Sequence, residues 1–227
     1  MRFKSLFFHY INFFRSLPYY TSARLLVADF FIFTLYFLRS PYQVLKGQSD
    51  FNPYGETPYS TLDKIAKECQ ILSGDLVYDL GCGRGKTLFW LESHVGCRGV
   101  GVDNQPRFIR WAKRSASLFG FSRVQFIQED FSKVDLRKAS VIYLYGTAFP
   151  DEVIEALIEN FKRASSEVKI ITVTYPLSDF SPHFKTTHQF EGKFSWGKTP
   201  IYISEARNCT KGTILPSTLA ASRQSRY

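Results

Sequence analysis

The stretch VYDLGCGRGK, residues 77–86, decides the fold of this chain. Strand-forming residues lead into an acidic residue, Asp79, and then into three alternating glycines that open a helical pattern. Glycine at such a turn lets the backbone approach a ligand closely, and the first turn of the following helix offers unpaired N–H groups. The stretch therefore predicts a strand, a nucleotide-cofactor loop and a helix.

The position of Asp79 indicates which cofactor this loop binds. A dinucleotide-binding loop follows the pattern G-x-G-x-x-G and holds a pyrophosphate at the helix end. Here the order is Asp79-x-Gly81-x-Gly83-x-Gly85, and a carboxylate before the first glycine would repel a pyrophosphate. A ligand that carries an ammonium group fits better.

A second acidic residue ends the next predicted strand. The run VGVDN, residues 100–104, ends in Asp103 and Asn104. In sheets of this kind, a carboxylate at that position accepts hydrogen bonds from the ribose hydroxyls. The ligand is therefore expected to carry a free ribose.

Together, DLGCGRGK at residues 79–86 and GVDN at residues 101–104 resemble motifs I and II of the class I S-adenosylmethionine-dependent methyltransferases. The resemblance covers about residues 56–205 and continues in VQFIQEDF, residues 124–131. It implies S-adenosylmethionine as the cofactor, with Asp130 contacting the adenine and Phe131 stacking on it. The cofactor-binding residues that it implies are Thr57, Asp79, Gly81, Cys82, Gly83, Gly85, Asp103, Asn104, Asp130 and Phe131.

Strand and helix patterns alternate along residues 50–206. Ser60 or Thr61 is expected to cap a first helix, and Pro106 and Gly120 to begin and end a later one. The chain is predicted to form an α/β fold, with a doubly wound, mostly parallel seven-stranded sheet, as in the family it resembles, and an antiparallel C-terminal hairpin. The predicted regions are a hydrophobic, basic helical N-terminal segment (1–49), the methyltransferase domain (50–206) and a polar basic tail (207–227).

The net charge of +9 is concentrated at the two ends of the chain. Residues 1–49 contain six basic residues against Asp29 alone, and the chain from residue 206 onward contains four basic residues and no acidic one. The core between them has 19 basic and 19 acidic residues. A neutral core argues against a broad nucleic-acid surface, whereas basic ends suit an anionic membrane surface.

The N-terminal segment is also rich in aromatic residues, and residues 2–15 have the spacing of an interfacial helix. Residues 25–38 are apolar nearly all round, but they are too short to span a bilayer and are interrupted by Asp29. Three interpretations stay open: membrane contact through residues 1–39, packing on the domain, and an organellar transit peptide. A cytoplasmic location is expected, and peripheral attachment to a membrane or anchoring in it stays open.

No metal site is predicted. The four cysteines, Cys69, Cys82, Cys97 and Cys209, are isolated and lack the paired spacing of zinc or redox sites, so reduced thiols are expected. The four histidines form no metal-ligand pattern either.

The tip of the fourth strand, residues 145–149, bears on the methyl acceptor. It reads YGTAF, without the acidic residue or Asn followed by two prolines of base amino-methylases, the cysteine of cytosine C5 enzymes or the carboxylates of metal-dependent O-methyltransferases. The chain is most similar to the seven-strand lysine methyltransferases that act on membrane-embedded proteins. That similarity implies a catalytic Tyr145 that orients the amine, although a half-buried aromatic residue at a strand end would look the same.

Three functions therefore stay open at this stage. The leading interpretation is a methyltransferase acting on a protein lysine near a membrane. The alternative is a methyltransferase acting on a small molecule or lipid-like acceptor, and the remote alternative is a module that binds the cofactor without catalysis.

Overall fold

The computed structural model describes residues 16–32, 56–146, 149–194 and 196–207. Residues 23–32 are helical and are named here the N-terminal helical segment. The other α-helices of the described residues are α1 (Tyr59–Glu68), α2 (Lys86–His94), α3 (Pro106–Phe119) and α4 (Asp151–Phe161), and short 3-10 helices lie at Leu17–Tyr19 and Leu177–Asp179. The strands are β1 (Leu76–Leu80), β2 (Arg98–Asp103), β3 (Val124–Gln128), β4 (Val141–Leu144), β5 (Lys169–Val173), β6 (Phe184–Phe194) and β7 (Gly197–Ala206).

The strands form one mixed sheet in the order β3-β2-β1-β4-β5-β7-β6. The first five strands in that order are parallel, whereas β7 is antiparallel to both β5 and β6. The predicted mostly parallel sheet with an antiparallel C-terminal hairpin is confirmed. Since the strand order reverses between β1 and β4, the crevice outside the carboxyl ends of these two strands is the expected ligand site.

Helices cover both faces of the sheet. Leu62 of α1, Leu88 of α2 and Ile109 of α3 belong to the core on one face, and Leu157 of α4 belongs to the core on the other. Side chains along a strand alternate between the two faces, so residues 77 and 79 of β1 point toward α1, α2 and α3. This alternation places the carboxylate of the glycine-rich motif on the three-helix face.

The N-terminal helical segment packs on this same face. Leu25, Ala28 and Ile32 are buried in the core there, at the spacing of one helix face. The described part of residues 25–38 thus agrees with packing on the domain. No helix among the described residues is long and apolar enough to cross a bilayer.

Residues 1–15, 33–55 and 208–227 lie outside the described residues. The interfacial helix expected over residues 2–15, the remainder of the apolar stretch and the polar tail therefore stay predictions. The division of the chain at residues 49/50 and 206/207 also stays a prediction.

The prediction for the start of the first helix was wrong. α1 begins at Tyr59, directly after Pro58, with no side-chain cap. The Thr61 hydroxyl is used in a tertiary contact instead, because it donates to the Lys193 carbonyl at 2.6 Å and accepts from the Lys193 N–H at 3.1 Å. This pair of hydrogen bonds ties α1 to β6.

The prediction for the third helix is confirmed. Pro106 begins α3, where a missing N–H costs nothing, and Gly120 ends it with φ of +68°. α3 therefore starts just beyond the carboxyl end of β2, beside the expected ligand site.

Candidate active site

The loop between β1 and α2 is held against the end of β2 by its backbone. The N–H groups of Gly81 and Cys82 both donate to the Val102 carbonyl, at 2.8 and 3.1 Å. Gly81 has φ of +86°, and a Cβ built there would have no described atom within 4 Å. Gly85 has φ of +85°, and a Cβ there would lie 2.5 Å from the Phe126 ring. Glycine is thus required at both positions, and at Gly81 the backbone borders open space.

That open space is a cleft at the carboxyl ends of β1 and β4, named here the cofactor cleft. Its lining contains five of the predicted site residues together with four residues that were not predicted. The lining residues are Glu56, Thr57, Asp79, Gly81, Cys82, Lys86, Thr87, Tyr143 and Tyr145.

Asp79 is a buried carboxylate on the wall of this cleft, with 3% of its surface exposed. Burial, and secondarily the charge of Asp103, raises its pKa to about 7, although the Thr87 hydroxyl donates to it. A cationic ligand would favour the ionised form, because an opposite charge offsets the cost of burial. Asp79 therefore fits the ammonium group of the cofactor's methionine end.

Asp103 connects the end of β2 to the loop. Its two carboxylate oxygens accept the N–H groups of Gly83 at 3.0 Å and Gln105 at 2.8 Å. Burial raises its pKa in spite of these two hydrogen bonds. Each oxygen keeps a lone pair, so the carboxylate fits the role of accepting two ribose hydroxyls. Asn104, the next residue, is exposed.

Cys82 also lines the cleft. Its side chain is buried, and a Cβ on the neighbouring Gly101 would lie 2.8 Å from its Sγ atom. Burial raises the pKa of the thiol well above its usual range, so the thiol stays protonated at neutral pH. A protonated thiol is a poor nucleophile, which agrees with a binding role.

Asp130 and Phe131, the predicted adenine contacts, lie beyond the carboxyl end of β3 and do not line the cofactor cleft. Asp130 is exposed, and its carboxylate accepts the Ser132 hydroxyl at 2.7 Å and the Ser132 N–H at 2.9 Å, which lowers its pKa. The Phe131 ring stacks on Phe149, with centroids 5.2 Å apart. Their roles toward adenine stay predictions.

Two lining residues that are far apart in sequence are joined by a hydrogen bond between their hydroxyl groups. The hydroxyls of Thr57 and Tyr143 lie 2.6 Å apart, and both residues are buried. Tyr143 was missed in the sequence analysis, although it lies two residues before Tyr145 and therefore points to the same face of β4. The period of two along a strand was the signal that could have identified it.

Tyr145 lies just after β4, against an aromatic wall formed with Phe194 and Trp196. The Tyr145 ring centroid is 5.6 Å from that of Phe194 and 5.7 Å from that of Trp196, and the last two rings are stacked at 5.0 Å. The Tyr145 hydroxyl is buried and has no hydrogen-bond partner among the described residues. Phe194 and Trp196 come from the β6–β7 hairpin, and nothing local in the sequence connects them with Tyr145.

Lys86, the first residue of α2, is held by two carboxylates. Its Nζ atom lies 3.0 Å from Glu56 and 3.6 Å from Asp29 of the N-terminal helical segment. Burial alone would lower its pKa, but the two carboxylates outweigh that effect and hold the pKa above its usual range. Lys86 is therefore a charged, paired residue of the cleft.

Among the residues that the structure describes, no three His, Cys, Asp or Glu side chains are grouped as a metal site. Three of the cysteines, Cys69, Cys82 and Cys97, are buried free thiols. The fourth, Cys209, lies outside the described residues.

Comparisons with known proteins agree with this geometry. Residues 79–184 match the model of the ANTKMT methyltransferase domain. A histone-lysine N-methyltransferase of Dictyostelium discoideum, H3 lysine-79 specific, is 28% identical over 184 residues, which is 68% of this chain but only 10% of that protein. A protein-lysine N-methyltransferase of Saccharolobus islandicus is 23% identical over 132 residues, covering 57% of this chain and 81% of that one.

A solved structure shares the fold. The RNA methyltransferase of Salinibacter ruber, in complex with S-adenosylhomocysteine, superposes with a TM-score of 0.57 and 22% identity over 73% of this chain and 99% of that one. These likenesses support an S-adenosylmethionine-dependent methyltransferase with S-adenosylmethionine as its cofactor, and the solved structure shows that the fold is shared.

Proposed function

We propose that the protein transfers a methyl group from S-adenosylmethionine to the side-chain amine of a lysine, in a protein located at a membrane. The observation that carries this proposal is the Tyr145 hydroxyl, which lines the cofactor cleft, is buried and has no hydrogen-bond partner among the described residues. Buried hydroxyls normally have a partner. An acceptor amine bound beside Tyr145 would provide it.

The protonation state of Tyr145 suits this role. Burial holds the pKa of Tyr145 above its usual range, so its hydroxyl is neutral at physiological pH. The hydroxyl oxygen accepts a hydrogen bond from an amine and thereby orients the nitrogen lone pair without having to remove a proton. Burial against aromatic rings also lowers the pKa of a lysine amine from its reference value of about 10.4, which increases the uncharged form that attacks.

The cofactor, when bound, supplies an electrophilic methyl group on a sulfonium. Transfer of such a group is an in-line displacement, so the protein's main task is to align donor and acceptor. Asp79, which lines the cleft, and Asp103, which binds the adjoining loop, are the proposed contacts of the donor, and Tyr145, which lines the same cleft as Asp79, is the proposed contact of the acceptor. This arrangement needs no strong general base.

The shape of the aromatic wall supports a long side chain as the acceptor. The wall begins at the buried Tyr145 hydroxyl and ends at Trp196, which is 52% exposed. Its rings would pack along the aliphatic part of a lysine while the amine reaches the interior. The two relatives named above as lysine methyltransferases support the same acceptor class.

The membrane part of the proposal rests on the N-terminal region. Six basic residues lie in residues 1–49, and the described part of the segment leaves Val27 and Phe30 exposed by 52% and 59%. Exposed apolar side chains and basic residues together favour an anionic bilayer surface. A cytoplasmic protein at such a surface is the proposed location.

The test is transfer of radiolabelled methyl groups by the purified full-length protein. Membrane and soluble fractions from a strain lacking the protein are incubated with labelled S-adenosylmethionine, and the labelled material is hydrolysed to amino acids. We expect label in methylated lysine from the membrane fraction. Label confined to a lipid extract or to small molecules would replace this proposal with the alternative acceptor class.

A matched pair of tyrosine variants controls for general damage. Tyr145→Phe removes the orphan hydroxyl, whereas Tyr202→Phe removes a hydroxyl from β7, at a residue outside the cleft lining. Loss of lysine labelling in the first variant alone supports the role of Tyr145. Equal labelling of lysine by the two variants would contradict a role of the Tyr145 hydroxyl in methyl transfer.

A further inference from the structure

Beside the cofactor cleft, the two cations of the glycine-rich motif are paired with carboxylates from outside that motif. Two cations, Arg84 and Lys86, flank Gly85 at the start of α2. Two carboxylates from the preceding part of the chain, Asp29 and Glu56, lie against them. Lys86 contacts both carboxylates, and Arg84 lies 3.6 Å from Glu56.

Asp29 belongs to the N-terminal helical segment and is fixed there by several contacts. It accepts a hydrogen bond from Tyr20, and the Tyr20 ring packs edge-on against the Tyr59 ring, with centroids 5.3 Å apart. The Lys86 ammonium lies 3.6 Å from Asp29 and 4.7 Å from the centre of the Tyr59 ring. The Asp29 side chain is 14% exposed and that of Lys86 20%, so water screens their interaction weakly.

The segment and the residues just before it are attached to the domain alongside α2. The Trp90 indole N–H donates to the Tyr19 carbonyl at 3.1 Å, and Arg24 lies 3.4 Å from Glu92. Leu25 of the segment is buried in the core. Asp29 is therefore held beside Lys86 by a packed segment.

We propose that Asp29 determines cofactor selectivity, because it neutralises the cation at Lys86 and so lets the cleft accept a ligand with a net positive charge. S-adenosylmethionine has a sulfonium, an ammonium and a carboxylate, for a net charge of +1, whereas S-adenosylhomocysteine lacks the sulfonium and is neutral. Without Asp29, one negative charge is lost beside Lys86, which lines the cleft. The proposal rests on the cofactor alone and is independent of the acceptor.

The experiment compares the affinities of the full-length protein for S-adenosylmethionine and S-adenosylhomocysteine by titration calorimetry. In Asp29→Asn, we expect affinity for S-adenosylmethionine to fall about 5-fold more than affinity for S-adenosylhomocysteine, because loss of one negative charge weakens binding of a cation more than binding of a neutral ligand. Lys86→Met removes the cation instead, so the ratio of the affinity for S-adenosylmethionine to that for S-adenosylhomocysteine should rise. The double variant should return to near the wild-type ratio.

Asp63→Asn is the matched control, because Asp63 forms a carboxylate–lysine pair with Lys67 at 2.8 Å, outside the cleft lining. In this variant, the ratio of the two ligand affinities should stay within about twofold of the wild-type ratio. If Asp29→Asn weakens both ligands equally, or leaves both unchanged, the proposal is overturned. If Asp29→Asn does not fold, Lys86→Met decides alone, and an unchanged ratio in that variant overturns the proposal.

Discussion

The two halves of the cleft are built in different ways. The cofactor half, formed by the loop after β1 and the end of β2, is held by backbone hydrogen bonds: Gly81 and Cys82 donate to Val102, and Gly83 donates to Asp103. The acceptor half is held by ring contacts between Tyr145 and the β6–β7 hairpin, about fifty residues away in sequence. We infer that the cofactor half keeps its shape when side chains are substituted, whereas the proposed acceptor half depends on the side chains that form it.

This difference predicts that the halves are separable by mutation. Substitutions in the cofactor half should change affinity for the cofactor, and substitutions in the acceptor half should change methyl transfer at saturating cofactor.

The largest effect is expected for Asp79→Asn. It removes the buried carboxylate that is assigned to the ligand's ammonium and leaves that cation unpaired, which costs about 3–5 kcal/mol. Titration calorimetry with S-adenosylmethionine measures the loss. Asp135→Asn, which changes an exposed carboxylate paired with Arg137, is the control, and equal affinities in the two variants would refute the assignment.

The pH dependence of stability tests the same carboxyl group without ligand. The folded protein keeps the Asp79 proton up to about pH 7, because its pKa is raised there, whereas the unfolded chain releases it near pH 4. Stability of the free protein should therefore fall as pH rises from about 4 to about 7, by on the order of 2–4 kcal/mol from this group.

Chemical unfolding of wild type and Asp79→Asn across that pH range makes the comparison. The variant should lack this component of the decline and be the more stable of the two above pH 7, while S-adenosylmethionine affinity of the wild type rises with pH. Parallel pH profiles for the two proteins would show that Asp79 ionises near its ordinary pKa.

A somewhat smaller effect is expected for Asp103→Ala. The substitution removes two ribose hydrogen bonds and leaves hydroxyls poorly paired, at a cost of about 2–3 kcal/mol in cofactor affinity. It also frees the Gly83 N–H, so part of the loss reflects a looser loop. Calorimetry that finds wild-type affinity would contradict the ribose assignment.

The smallest effects are expected beyond β3. Phe131→Ala should weaken S-adenosylmethionine binding by about 1 kcal/mol without changing the preference for adenine, because stacking is not specific for one base. Asp130→Ala should instead relax discrimination against analogues without the exocyclic amine. If each variant loses the same affinity for S-adenosylmethionine as for the analogue without the exocyclic amine, the division of roles is wrong.

The sequence predicted the parts of the site that depend on local chain geometry. Asp79, Gly81 and Asp103 lie at strand ends and in one tight loop, where residue type and spacing determine position. Asp130 shows the limit of prediction from local geometry, since its carboxylate accepts two hydrogen bonds from Ser132 within the same turn. The predicted cap of α1 failed for a related reason, because a tertiary contact took the Thr61 hydroxyl.

The acceptor half and the charge balance of the cleft depend on tertiary packing. Trp196 reaches Tyr145 only because β7 lies between β5 and β6, and Asp29 reaches Lys86 only because the N-terminal helical segment packs beside α2. No spacing rule connects such residues.

The most direct test of separate halves is the affinity of Tyr145→Phe for S-adenosylhomocysteine, measured by calorimetry beside Asp103→Ala. We predict that Tyr145→Phe binds within about twofold of wild type, although its rate of lysine methylation at saturating cofactor falls about 10-fold, as loss of one orienting hydrogen bond implies. A loss of affinity in Tyr145→Phe as large as that in Asp103→Ala would contradict the account, because Tyr145 would then belong to the cofactor half.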